Sequence, residues 1–369
     1  MLNILLFIDG LGLGGAQRQM VYLANALHDE GHKVKVLQYT NQDFFKNRIN
    51  KKIEIVKIAP KSNLLRLFKV RHYIQQGWQD ILISFLETPN FIANFSVNKK
   101  RKWALITSER NAIEDNFKGC KNKIYKFFER KSDYIVCNSY SAKDLWLKYK
   151  PEFKDKIGVI HNGVQIDKKD NLKTSFTHNG KLRITVAASL KRIKNIERLI
   201  DAIAIIDDDV RSKFEIRWYG TAEEKGYLTK EQIKNLIKEK GVDSNLILEE
   251  TTQDIIDKYY NSDVVALFST HEGMPNAILE GLAVGKPILM SEVSDYKYLA
   301  NENNAITFDP NDTKSIADAI SKIVNRREDE LLQMGEESRK IVEQGFSIDV
   351  FSKSWIKKIN EVLASRHKT

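Results

Sequence analysis

Residues 263–290, DVVALFSTHEGMPNAILEGLAVGKPILM, read as strand, loop, short helix and strand, with one carboxylate in the loop and a second in the helix. Val264 to Phe268 is continuously apolar, the pattern of a parallel strand buried on both faces, and it gives way to the polar run Ser269-Thr270-His271-Glu272-Gly273. A helix is expected from Pro275, because the missing N–H of proline is no loss at a first helical position. Gly285 followed by Lys286-Pro287 is the matching stop. That gives about ten residues, roughly 15 Å of helix. Its N-terminal end carries positive partial charge and aims at the mouth of the sheet, where ligands of open α/β folds bind. An anionic or hydroxyl-rich ligand is therefore expected beside Glu272.

Working outward, apolar strands alternate with helical patterns on both sides of this segment. Asn3 to Ile8 leads through a glycine turn into a helix over Ala16 to His28. Further strands are expected at Lys33 to Gln38, Ile53 to Ile58, Ile81 to Phe85, Trp103 to Thr107 and Tyr134 to Cys137. The second half repeats the alternation, with strands at Leu182 to Ala187, Phe214 to Tyr219 and Asn245 to Leu248 and helices ending near Ile206, over Lys230 to Lys240, over Asp312 to Asn325 and over Phe351 to Leu363. The fold class is α/β, with two doubly wound, Rossmann-like domains. A chain of 369 residues exceeds the size at which single cores stop growing, which also favours two.

No apolar run approaches the length of a membrane span, and Ile4 to Ile8 is too short for a signal-peptide core. Cys120 and Cys137 give neither a disulfide framework nor a zinc constellation, and the seven histidines include no close ligand pair, so no metal is expected and the compartment reads as the cytoplasm. The formal charge of +10 comes entirely from residues 1–160, with basic clusters at Lys61 to Arg71, Lys99 to Lys102 and Lys118 to Lys131, the last interleaved with Tyr125, Phe127 and Phe128. Such a surface suits anionic lipid headgroups; a solubilising lysine-rich surface is the plainer reading. No nucleic-acid recognition motif accompanies the charge, so nucleic acid is not an expected partner.

The turn Gly10-Leu11-Gly12-Leu13-Gly14-Gly15 formally satisfies G-x-G-x-x-G, which would suggest a dinucleotide-dependent oxidoreductase. The acidic residue that should close the second strand is missing, since Asn41-Gln42 precede Asp43. Glycines there could also serve only a tight strand-to-helix turn.

The string Glu272-Gly273-Met274-Pro275-Asn276-Ala277-Ile278-Leu279-Glu280-Gly281-Leu282-Ala283-Val284-Gly285-Lys286-Pro287 resembles the E-x7-E signature of retaining glycosyltransferases of the GT-B fold, specifically glycosyltransferase family 4. Gly14-Gly15-Ala16-Gln17-Arg18 resembles that family's G-G-A-(E/Q)-R turn, and Val159-Ile160-His161-Asn162-Gly163-Val164 its V-I-x-N-G-(I/V) strand end. In Ala188-Ser189-Leu190-Lys191-Arg192-Ile193-Lys194-Asn195 the family's usual G-R-L-x-x-x-K-(N/G) is matched at Lys194 and Asn195, while Ser189 stands at the arginine position. Arg192 or Lys191 would then supply the second charge, or Lys194 would act with backbone donors alone. Many members carry a histidine near Ser108-Glu109-Arg110-Asn111. Arg110 stands there instead, open to an acceptor or donor contact or to an ion pair with Glu109 or Glu114. A glycine usual in the family near Glu249 to Asp254 is absent, which leaves the base pocket open.

The resemblance implies an N-terminal acceptor domain over 1–165, a linker over 166–180, a nucleotide-sugar domain over 181–345 and a helix over 346–369 crossing back, with the two domains facing a central cleft. It implies Glu272, Lys194 and Arg110 in catalysis, and contacts to the donor or acceptor from Gly15, Arg18, Asn162, Ser189, Arg192, Gly273, Met274, Pro275, Asn276 and Glu280. Glu272 would orient the transferred sugar, Glu280 the ribose, and Lys194 the diphosphate. The donor would be a nucleotide sugar, with UDP the expected carrier, and no cofactor or metal would be needed. The acceptor would be a glycan or a polyprenyl-diphosphate-linked glycan of bacterial surface polysaccharide such as O-antigen, met at the inner face of the cytoplasmic membrane. A sugar-nucleotide epimerase on the same fold is the other reading.

Overall fold

The structure is a computed structural model and describes residues 1–166, 177–178, 180–221 and 227–366. The chain falls into two units, Met1–Gly163 with Ile348–Thr369, and Val164–Ser347. Of the expected linker 166–180, residues 167–176 and 179 lie outside the described residues.

In the first unit seven strands, β1 (Asn3–Phe7), β2 (Lys33–Gln38), β3 (Glu54–Lys57), β4 (Ile81–Phe85), β5 (Ala104–Glu109), β6 (Tyr134–Cys137) and β7 (Ile157–Val159), pair in parallel in the order β3-β2-β1-β4-β5-β6-β7. Five helices intervene: α1 (Gly15–Asp29), α2 (Asn63–Gln75), α3 (Glu87–Ser96), α4 (Cys120–Phe128) and α5 (Tyr140–Tyr149). Strand side chains alternate between faces. Ile4, Leu6 and Ile8 therefore pack with Met20 and Leu23 of α1 and with Phe351 and Trp355 of the terminal helix. Leu5 and Phe7 pack with Val70 and Ile74 of α2 and Ile92 of α3. Both faces are apolar, so the strands read as unbroken hydrophobic runs.

The second unit repeats the plan. β9 (Lys181–Ala187), β10 (Phe214–Tyr219), β11 (Leu246–Glu249), β12 (Val264–Leu267), β13 (Ile288–Ser291) and β14 (Ala305–Phe308) form a parallel sheet in the order β11-β10-β9-β12-β13-β14, and the short β8 (Thr177–His178) pairs antiparallel with β9. Helices α6 (Ile196–Ala204), α7 (Asp208–Arg211), α8 (Lys230–Glu239), α9 (Ile255–Tyr260), α10 (Asn276–Ala283), α11 (Thr313–Val324) and α12 (Glu328–Gly345) follow, before the terminal helix α13 (Ile348–Arg366). α6, α8 and α11 cover one face and α9 and α10 the other, while α12 packs Leu331 and Met334 with the first group and Val342 with the second.

Winding reverses in each sheet, between β1 and β4 in the first and between β9 and β12 in the second. Loops leaving the carboxyl ends of two such strands diverge and leave a crevice for a ligand. Glu272 and Lys194 lie on the two loops that leave β12 and β9.

The structure moves one boundary of the decisive segment. α10 begins at Asn276, and Pro275 is its N-cap with φ −75° and ψ 107°, because Pro275 is still extended and only its carbonyl enters the helix, accepting from Leu279 N at 3.2 Å. The helix is eight residues long. At its other end Gly285, at φ +70°, turns the chain, a left-handed conformation that favours glycine. Gly281 lets α10 lie directly on β12, since a Cβ there would come within 2.8 Å of the Val265 side chain.

Candidate active site

The two loops at the β9/β12 reversal are fastened to each other. After β9 the chain makes a 3-10 turn over Arg192–Lys194, closed by Lys194 N donating to Lys191 O at 2.8 Å. Asn195 then adopts φ +65° and starts α6, its side chain donating to Pro310 O at 2.8 Å. After β12, Thr270 N donates to Ile193 O at 2.8 Å, which ties the glutamate loop to the lysine turn. Lys194 Nζ consequently lies 2.5 Å from Glu272 Oε1, with side-chain exposures of 18% and 14%. A hydrogen-bonded ion pair this shielded is stronger than a surface pair, yet one edge stays open to solvent.

The residues beyond Glu272 are also held. Ser294, in the left-handed region at φ +54°, donates its hydroxyl to Gly273 O. Gly273 and Met274 lead to the Pro275 cap, so the amides directed out of this helix end are those of Asn276, Ala277 and Ile278, and Pro275, included among the contact residues, has no N–H to give. Glu280 lies within α10, buried at 3% exposure. Ser189 is half-buried in the loop after β9, where Gly220 presses on it so closely that a Cβ on Gly220 would meet Ala188 O at 1.9 Å. Arg192 is exposed, its guanidinium 5.1 Å from the Tyr227 ring centre.

A second set of expected residues gathers in the first unit. Arg110 follows β5 and is buried at 7% exposure. Its Nη1 donates to Asn162 Oδ1 at 3.0 Å and its guanidinium stacks 3.7 Å from the centre of the Phe85 ring. Nε and Nη2 have no hydrogen-bond partner among the described residues. Burial pulls the guanidinium down to about 9. The ion pair considered for Arg110 does not form: Glu109 is taken by Lys126 at 3.2 Å, and Glu114 by Lys148 at 3.3 Å and by the Tyr149 hydroxyl. β5 runs two residues past the expected Thr107, which turns the Glu109 side chain into the buried cluster beneath α4. In that cluster Glu129 accepts from Asn94 at 3.0 Å, Thr107 at 2.9 Å and Ser132 at 3.1 Å, and burial pushes its carboxyl up to about 7.

Gly15 opens α1, and Arg18 one turn later has its guanidinium 5.3 Å from the Phe45 ring centre. Gln19 connects this helix to the strand end at Asn162, donating to Gly163 O at 2.7 Å and accepting from Gly163 N at 2.9 Å. Gly10 and Gly12 are explained without a ligand, since a Cβ at either would collide with Thr40 or Gln42. The dinucleotide reading loses its ribose acid as well: β2 ends at Gln38, and Asp43 is engaged by Gln38 and by Lys57 at 3.3 Å. Thr270, Ser294 and Gln19 position the candidate residues, and none carried a signal in the sequence because each acts on a partner distant along the chain.

Comparison with known proteins adds to this geometry. The model of Glycosyltransferase Family 4 matches residues 13–168, and that of Glycosyl transferases group 1 matches residues 181–326. A Campylobacter jejuni GalNAc-alpha-(1->4)-GalNAc-alpha-(1->3)-diNAcBac-PP-undecaprenol alpha-1,4-N-acetyl-D-galactosaminyltransferase is 26% identical over 294 residues, 76% of this chain and 77% of the relative. An Escherichia coli UDP-Gal:alpha-D-GlcNAc-diphosphoundecaprenol alpha-1,3-galactosyltransferase is 26% identical over 264 residues, 64% of this chain and 63% of the relative. Among solved structures, Anabaena HepE in complex with UDP-glucose superposes with a TM-score of 0.82 at 16% identity, covering 99% of this chain and all of that one. TarM superposes with a TM-score of 0.81 at 13% identity over 98% of this chain and 99% of its own. These structural likenesses carry the fold.

Proposed function

The chain belongs to the family 4-like glycosyltransferases of the GT-B fold, and from that premise we propose that it transfers a hexosyl residue from a UDP-sugar to a polyprenyl-diphosphate-linked glycan, with retention of anomeric configuration and without a metal. The observation that carries the reading is the Lys194–Glu272 pair at the β9/β12 reversal, 2.5 Å apart, with the head of α10 beside it. The relatives whose names specify undecaprenol-diphosphate acceptors, one of them with a UDP-sugar donor, support the acceptor class and the carrier.

Breaking the bond at the anomeric carbon leaves negative charge on the departing diphosphate and positive character on the sugar ring. A catalyst therefore needs donors at the phosphates and acceptors near the sugar. In this proposal Lys194 turns from Glu272 toward the diphosphate as the donor sugar arrives, with Arg192, the Ser189 hydroxyl and the amides of Gly273, Met274 and Asn276 as further donors. Glu272, released from its partner, accepts hydrogen bonds from the hydroxyls of the transferred sugar, and Glu280 from the ribose. Cationic side chains and a helix end would carry the phosphate charge that a divalent ion carries elsewhere. On the acceptor side the reading assigns Gly15, Arg18, Arg110 and Asn162, Arg110 being a buried cation whose only hydrogen-bond acceptor among the described residues is an amide oxygen. No described helix is long and apolar enough to cross a membrane. In this proposal the lipid acceptor is met at the cytoplasmic face.

Incubation with UDP-, GDP- and ADP-sugars and a polyprenyl-diphosphate glycan, with and without EDTA, tests the proposal through nucleotide release and the anomeric proton coupling of the product. UDP release into an axial, retained linkage at the same rate in EDTA is the expected result. An inverted linkage, a rate abolished by EDTA, or turnover only with another nucleotide each overturns the corresponding part.

A further inference from the structure

Helices α2 and α4 of the first unit flank α3. α2 is fixed to α3 by Arg71 donating to Phe95 O and by Gln75 Nε2 donating to Ser96 O at 3.1 Å. α4 is fixed to α3 by Tyr125, stacked on Phe91 with ring centres 4.2 Å apart. Outward from these contacts, Leu64, Leu65 and Phe68 of α2 are 65%, 46% and 53% exposed, and Ile124 and Phe127 of α4 are 53% and 57% exposed. The spacings i, i+1, i+4 and i, i+3 put each group on one side of its helix. Rings Phe68, Phe95, Phe128 and Phe127 follow one another at centre distances of 6.4, 5.9 and 5.9 Å, so the two groups form a single apolar surface.

The charge around this surface is predominantly positive, although Glu152 lies 3.8 Å from Arg130 and Asp115 lies 3.2 Å from Lys118. Lys61, Lys69, Lys121, Lys123, Arg130 and Lys131 are exposed on or beside the two helices. Arg130 lies 5.0 Å from the centre of the Phe127 ring and Lys131 lies 4.8 Å from that of Phe128. No Asp or Glu occurs in residues 55–79 or 116–128. Apolar side chains rimmed by lysine and arginine match the boundary layer of an anionic bilayer, where rings and aliphatic tips enter the acyl edge while the cations stay among the headgroups. A second copy of the chain fits poorly, because a twofold contact would bring like charges face to face.

We propose that the α2–α4 face docks this protein on anionic membrane, with Leu64, Leu65, Phe68, Ile124 and Phe127 entering the interface. The assignment is independent of the sugar chemistry at Lys194 and Glu272, and it is read without turnover. The full chain is mixed with vesicles of phosphatidylcholine containing about a third phosphatidylglycerol, or of phosphatidylcholine alone, and floated at low and high salt. Flotation with the anionic vesicles, reversed by salt and weakened at least about tenfold in the Leu64→Glu, Phe127→Glu double variant, is expected. The charge-reversal pair Lys61→Glu, Lys123→Glu should also reduce binding, with both variants keeping the parental melting temperature and soluble-donor hydrolysis. The proposal is overturned if the unaltered chain stays with the unbound fraction on anionic vesicles, or if the Leu64, Phe127 variant floats as well as its parent. It is equally overturned if sedimentation shows a dimer that this variant dissociates, since the face would then be a contact between copies.

Discussion

The two units place a cation at the carboxyl end of a parallel sheet, and they treat it differently. In the second unit Lys194 is met by the Glu272 carboxylate at 2.5 Å, so the free enzyme holds a nearly neutral pair with an open edge. In the first, Arg110 is more deeply buried and meets an amide oxygen and the face of Phe85. A buried charge without a countercharge is costly, and neighbouring dipoles and a π-face recover only part of the loss. In the proposed mechanism Lys194 exchanges its carboxylate for an incoming phosphate, whereas Arg110 would offer a standing positive potential to an anionic ligand.

The largest effect that could break this comparison is expected at the pair. Glu272→Gln and Lys194→Ala should each lower turnover at least about tenfold, or about 1.4 kcal/mol in barrier, with the circular dichroism spectrum unchanged. The double variant should lose less than the sum, as expected of groups acting through one another, and strict additivity in steady-state rates would show that the two work separately. Next comes Arg110→Met. Turnover should fall about tenfold while the melting temperature stays level or rises, because a buried cation gives way to an apolar side chain of similar reach. A collapse of stability alongside activity would make Arg110 a strut between Phe85 and Asn162.

Gly281→Ala sharpens the comparison from the side of the scaffold. Its Cβ would push α10 off Val265, at a stability cost of roughly 1–3 kcal/mol in a denaturant melt, and would raise KM for the donor more than it lowers kcat. An unchanged KM would mean that the helix head does not grip the donor. The smallest effect should come from Glu129→Gln. The folded-state carboxyl sits near 7, above its unfolded value, so the folded protein binds more protons than the unfolded chain in the interval between them, and stability falls as pH rises toward 7. The glutamine variant should therefore gain stability on the parent as pH rises from about 5 toward 8, and the gap should close as pH falls below about 5. A gap independent of pH would show that the carboxyl does not titrate there.

Much of this architecture was legible because its signals are local. The buried strands are continuous apolar runs, glycine at 285 stops α10, and Glu272 and Glu280 occur in one ordered string. Where the reading strayed, long-range contacts had decided. Nothing in the sequence around Arg110 shows that Glu109 is committed to Lys126, seventeen residues on, or that Glu114 turns to Lys148. Helices α2 to α5 and α12 were not singled out from the sequence, and part of what they bury or expose depends on neighbours such as Phe95 and Gly285.

The amino-acid order alone determined the alternation of strands and helices, the two-domain α/β class, the family resemblance and the identity of the charged residues, because each is written in neighbours a few positions apart. The folded chain decided which charges meet. Lys194 and Glu272 stand 78 residues apart in sequence, and Arg110 and Asn162 stand 52 apart. Each pair is brought to one sheet edge only by crossovers that set strand order, and strand order is fixed by burying both faces of a parallel sheet at once, a property no single segment possesses.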